Sequence, residues 1–101
     1  MLIYNVTIKV SPHIATQWLQ WMMEVHIPEV MATGCFQSYR VLRLLEIDDS
    51  EGPTYAVQYS AASRASYDEY ISTHASTLRE KTYEKWGNQF IAFRSVMEVV
   101  Q

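Results

Sequence analysis

The chain of 101 residues is sorted first by what it is short of. It has one cysteine, Cys35, so no intrachain disulfide can form and the core must hold without a covalent staple. Three glycines and three prolines exclude collagen-like and low-complexity chains. Basic residues are few as well. Eight Lys and Arg against eleven Asp and Glu give a net charge of −3, without the basic face that a phosphate backbone demands, so no nucleic-acid partner is expected. No segment approaches the roughly 20 apolar residues of a membrane span, so no membrane partner is expected either. The start, Met-Leu-Ile-Tyr-Asn-Val-Thr-Ile-Lys-Val, lacks a basic head, a long apolar run and a small-residue cleavage site, from which a cytoplasmic location is expected. What the chain does have is 49% apolar residues and 13% aromatics, enough for one compact domain spanning residues 1–101.

Leu2, Tyr4, Val6, Ile8 and Val10 alternate with Ile3, Asn5, Thr7 and Lys9, the period of a half-buried strand. Ser11 and Pro12 then signal a helix start, since a serine oxygen can cap free amides and proline loses nothing in the first turn. The helix runs to about Thr33 and stops at Gly34. Its stripe of Ile14, Trp18, Trp21 and Val25 falls within about 60° on a wheel of about 100° per residue. Pro28 cannot donate to the Glu24 carbonyl and crowds it, which predicts a kink near His26. Phe36 to Ile47 and Tyr55 to Ala62 read as an antiparallel pair joined by the polar loop from Asp48 to Pro53. Ser63 or Ser66 caps a second helix, which Gly87-Asn88 ends. Tyr67, Ile71, His74 and Leu78 form its inner stripe. Continued, that stripe meets Lys81 and Lys85, so the second half is expected to leave the sheet and pass its contacts to Tyr83 and Trp86. Phe90 to Val100 is the last strand.

The order β-α-β-β-α-β with right-handed crossovers predicts an α+β, ferredoxin-like fold, a four-stranded antiparallel sheet with both helices on one face. The opposite face is then bare, and neither side of the last strand is purely polar. A chain this small needs another copy to cover that face, so a homodimer stacked sheet on sheet, a dimeric α/β barrel, is expected.

Several residues are candidates for a pocket between the layers. His74 sits within an apolar stripe and should face the sheet, either as a hydrogen-bonded core histidine or as a pocket base. His26 lies at the edge of the first helix stripe, near a pocket mouth or capping the freed Glu24 carbonyl. Three histidines on separate elements, without ligand spacing, predict no metal site. Trp18, Trp21, Trp86, Tyr4, Tyr55 and Tyr59 are core and interface material first, with Trp18 and Tyr59 also able to line a pocket. Arg94, on a sheet buried on both sides, must meet an acid such as Glu98 or Glu46 or anchor a carboxylate, and the ion pair is the favoured reading. Cys35 reads as a small hydrophobe.

The opening I-Y-N-V-T, the kinked E-V-H-I-P-E-V-M-A-T-G-C-F over 24–36, the strand Y-A-V-Q-Y and the closing F-I-A-F-R together resemble a family of short bacterial proteins known only as a domain of unknown function. That family is similar in turn to the dimeric α/β barrel superfamily of cofactor-free monooxygenases, haem-degrading monooxygenases, muconolactone isomerases and stress-responsive proteins. The resemblance implies the fold. In the haem-degrading relatives a strand-one asparagine, a tryptophan and a helix-two histidine line the pocket. It therefore implies Asn5 and His74 as pocket residues, with no tryptophan to complete the set, and no cofactor is expected.

Two functions stay open. One is a small-molecule-binding protein or a cofactor-free monooxygenase-like or isomerase-like enzyme, with His74 and Asn5 polarising a small apolar or aromatic ligand and His26 or Tyr59 at the rim. The other is a non-catalytic dimeric module whose pocket is filled by its own rings, and the composition favours this one.

Overall fold

The computed structural model describes residues 1–101. Its strands are β1 (Leu2–Val10), β2 (Ser38–Arg43), β3 (Thr54–Ala61) and β4 (Phe90–Glu98). Helix α1 covers residues 15–32 between β1 and β2, and helix α2 covers 64–86 between β3 and β4. The sheet order is β2-β3-β1-β4, with every neighbour pair antiparallel. This is the βαββαβ ferredoxin-like arrangement.

Register assigns the faces. Tyr4 pairs with Tyr59 and Val96, Val6 with Val57 and Arg94, and Ile8 with Tyr55 and Ala92. Both helices pack on this face: Trp18 of α1 stacks on Tyr55 at 5.5 Å, and Tyr70 of α2 meets Tyr4 at 5.6 Å. Tyr4, Trp18, Val57, Tyr59, Tyr70 and Leu78 belong to one buried cluster of 17 residues.

Each helix carries one wide π turn, Met22–His26 in α1 and Tyr70–His74 in α2, closed by bonds from Ile27 N–H to the Met22 carbonyl and from Ala75 N–H to the Tyr70 carbonyl. The first sits just before Pro28, where a kink was expected. Such a turn accommodates one extra residue and rotates everything after it. On an unbroken wheel Ile27 would lie about 180° from Trp18, yet both are 1% exposed. The same slip corrects both predicted stripes. Val25 is 39% exposed while Met22, Ile27 and Val30 are buried, and Ile71 is 36% exposed while Tyr70 is buried. It also keeps the second half of α2 on the sheet, through Ala75, Leu78 and Trp86, where a departure was expected; Lys81 and Lys85 point to solvent. Lys81 bonds Glu29 across the two helices at 2.8 Å.

The element ends differ in smaller ways. Ser11 does not cap α1 with its side chain: Ile14 N–H bonds the Ser11 carbonyl in a turn, and the helix proper begins at Ala15. For α2 the cap is Ser63, whose Oγ accepts from Ser66 N–H at 3.2 Å. Strand β2 is shorter than Phe36 to Ile47, because Phe36 turns into the core against Tyr59 and Tyr70, and Glu46 at φ 59° takes the chain out of the ladder.

On the bare face Phe93 is 70%, Ile91 61%, and Leu42 and Met97 40% exposed. A polar row crosses these apolar residues. Arg40 Nε donates to Gln58 Oε1, Gln58 Nε2 to Asn5 Oδ1, and Asn5 Nδ2 to Ser95 Oγ and Thr7 Oγ1, one bonded line over all four strands.

Candidate functional site

A partly enclosed cavity of about 40 Å³ lies between the sheet and the helices, room for on the order of three waters. β1 and β3 give its floor through Tyr4, Val6, Val57 and Tyr59, and β4 adds Phe90, Ala92 and Arg94. Trp18, Met22 and His26 come from α1; Tyr70, Arg79 and Thr82 come from α2. The π turns bring these together, since Met22 and Tyr70 start the wide turns, His26 ends the first, and Arg79 and Thr82 follow the second. The rest of the interlayer space is filled by rings: Tyr4 contacts Phe36, Tyr59, Tyr67 and Tyr70 with centroids 5.6 to 6.0 Å apart.

Of the residues proposed from sequence, Trp18, His26, Tyr59 and Arg94 meet at this cavity. Two others do not. Asn5 alternates with Tyr4 and so sits on the opposite side of the sheet, 7% exposed, in the polar row. His74 ends the second wide turn, which rolls it off the sheet into a shallow surface depression with Glu29, Thr33 and Thr77. The pair implied by the haem-degrading resemblance is thus split between two surfaces. Arg94 departs from its favoured reading. The ion pairs of the chain are Arg43–Asp49, Arg64–Asp68 and Lys81–Glu29, and Arg94 is in none of them. Glu98 lies four positions along the same strand, about 13 Å away at about 3.3 Å per residue, too far to reach.

Arg79, Tyr70, Met22 and Thr82 were not among the pocket candidates from sequence, which aimed Ile71 at the sheet and took the second half of the helix, from Lys81 on, away from it. The signal was present in the spacing: Tyr70 and Trp86 fall about 160° apart on an unbroken wheel, yet both are large aromatics that want burial. Arg79 Nη2 donates to the Tyr4 hydroxyl at 3.0 Å, and its Nε is buried without a partner. The Trp18 indole N–H is likewise unpartnered.

His26 stacks on Trp21 with ring centroids 5.3 Å apart, and its Nδ1 is 3.5 Å from Thr82 Oγ1. Desolvation lowers its pKa from 6.5 to about 4; Glu29 opposes this and Arg94 adds to it. The imidazole is therefore neutral near pH 7. Burial likewise raises the Tyr59 and Tyr70 phenols, helped by neighbouring tyrosines, so both keep their protons.

The lowered His26 value has a consequence for stability. Between about 4 and 6.5 the unfolded chain binds a proton that the folded chain does not, so unfolding free energy rises with pH across that window and is flat above it for this group, a difference of ~3 kcal/mol. Urea titrations at several pH values should show that slope, and His26→Gln should remove it. A slope identical in the variant would place the proton elsewhere.

The fold recurs in solved structures. The chain is similar to a dimeric ferredoxin-like protein from an uncultured marine organism at 14% identity, with a TM-score of 0.75 over 99% of this chain and 95% of that one. It is similar to an ethyl tert-butyl ether d (ethd) family protein from Bacillus halodurans at 12% identity, with a TM-score of 0.69 over 99% and 100%. An antibiotic biosynthesis monooxygenase aligns at 14% identity with a TM-score of 0.64, each chain covered fully at 100%. At such identities the likeness is one of fold. None of the curated proteins matches the sequence. A family model does match residues 1–100, and on that extent the chain belongs to the family described as Domain of unknown function (DUF4286).

Proposed function

We propose that the protein is a single-domain, homodimeric binding module that takes up a small apolar or aromatic molecule between its sheet and helices and performs no chemistry on it. The observation that carries this reading is the interlayer cavity, walled by Trp18, Tyr59, Tyr70 and Phe90 and small beside the space its own rings occupy. Aromatic and aliphatic walls with a few polar groups are what small-molecule sites are made of. Catalysis has less support, because a useful general base titrates near the working pH. Here the imidazole takes a proton only near pH 4 and the Tyr59 and Tyr70 phenols are pushed up, away from neutrality.

The exposed apolar residues of the bare face support a second copy as partner, as do similar structures described as dimeric.

Ala92 offers the test, since it lines the cavity and is already partly buried. Ala92→Val places two methyl groups in that space. Neutral aromatic probes such as benzyl alcohol and indole should raise the Tm of the parent chain and change its tryptophan fluorescence, and both responses should vanish in Ala92→Val while the fold is kept. Probes that bind the variant equally well, or no probe binding at millimolar concentration, would refute the cavity as a binding site.

A further inference from the structure

The interlayer cavity has an electrostatic character that its apolar walls conceal. Its 14 lining residues include two arginines, Arg79 and Arg94, and no aspartate or glutamate, in a chain whose net charge is −3. Neither guanidinium has a carboxylate partner: Arg79 bonds only the neutral Tyr4 hydroxyl, and Arg94 is in no ion pair or side-chain hydrogen bond. An arginine carries five N–H donors in a planar fork that matches a carboxylate in two-point contact. The Tyr59 and Tyr70 phenols at the cavity are donors too. With eleven acidic residues in the chain, an arginine pair that needed neutralising for stability alone had partners to choose from.

We propose that the ligand of this cavity is an apolar monocarboxylic acid, its carboxylate held between Arg79 and Arg94 and its apolar body lying against Trp18, Met22 and Phe90. This rests on the reading of the cavity as a binding site. At about 40 Å³ the resting cavity is smaller than an aromatic ring, so any ring, neutral or acidic, enters by displacing Met22, an unbranched side chain that repacks at low cost. Arg94 is exposed and Arg79 half-buried, both line the cavity, and both charges act on Tyr70 from opposite elements. The surplus of negative charge elsewhere repels anions at long range, so selectivity for an acid must come from these two side chains in direct contact.

Benzoate and its neutral isostere benzamide separate the possibilities. Each is titrated into the parent chain and into Arg94→Gln at matched ionic strength, with Tm and tryptophan fluorescence as readouts. Because Arg94 makes no contact that the fold uses, the variant should keep the parent circular dichroism and unliganded Tm. Benzoate is expected to bind the parent at least tenfold more tightly than benzamide, and Arg94→Gln should lose most of that preference. Equal binding of both probes in the parent overturns the acid inference and leaves the cavity reading standing, a result that does not depend on how the variant behaves. If neither probe binds the parent at millimolar concentration, the cavity reading and the acid inference fall together.

Discussion

Phe93→Glu is expected to halve the mass of the protein in solution, from twice 11.8 kDa to 11.8 kDa. Phe93 is the most exposed ring in the chain, at 70%, and it stands on the bare face between Ile91 and Met97. In the proposed dimer that face meets its twin about a two-fold axis, so each substitution counts twice. A carboxylate forced into such a contact without a cation costs several kcal/mol, and two of them should weaken association by on the order of a thousandfold or more. Light scattering behind a sizing column at about 10 µM reads the result, a range where a specific dimer persists and the variant does not. Within one chain Phe93 faces water, so circular dichroism should not change. A parent chain that runs at 11.8 kDa would remove the dimer from consideration, as would a variant that stays at twice that mass.

Gly52→Ala should be the most damaging single methyl group. Gly52 closes the β2–β3 loop at φ 117°, and a Cβ built there would lie 1.7 Å from the Val10 carbonyl oxygen and 2.9 Å from its carbon. Those are backbone atoms at the end of β1, held by the Val10 N–H bond to the Pro53 carbonyl at 3.0 Å, so neither partner yields without breaking the ladder. Steric overlap and a backbone conformation hostile to L side chains add, for a cost of ~3 kcal/mol or more and a Tm lower by about 12 °C or more. Gly34→Ala is the control. It also has positive φ, 77°, but nothing lies within 4 Å of its Cβ, so only the conformational term of ~1 kcal/mol applies. Thermal unfolding of the two variants side by side separates clash from strain, and equal losses would mean the loop moves aside freely.

Local rules carried the fold a long way. Alternation at Leu2 to Val10 separated the two faces of β1, though not which of them meets the helices, and Pro28 marked the place where α1 departs from α geometry. The rules failed where the period itself changed. A wheel at constant angle cannot foresee a turn holding one more residue, and so Val25 and Ile71 were assigned inward while Ile27, Tyr70 and Arg79 were not. Asn5 is a different kind of miss. Its alternation with Tyr4 already put it across the sheet from the cavity, and the resemblance to haem-degrading relatives outweighed what the strand pattern said. Arg94 was expected to need an acidic partner, but it is exposed and in no ion pair, because pairing along a strand depends on distances that composition does not carry.

The polar line through Arg40, Gln58, Asn5 and Ser95 explains how a half-polar surface can be dried. Its amides spend their donors and acceptors sideways, within the plane of the strands, so an oily lid laid over Asn5 strands no amide of that residue. Arg40 ends the line on the edge strand β2, where its remaining N–H groups can keep water. Breaking one link, as Gln58→Leu would, leaves Asn5 Oδ1 without its donor and turns a surface ready for contact into one that holds on to solvent.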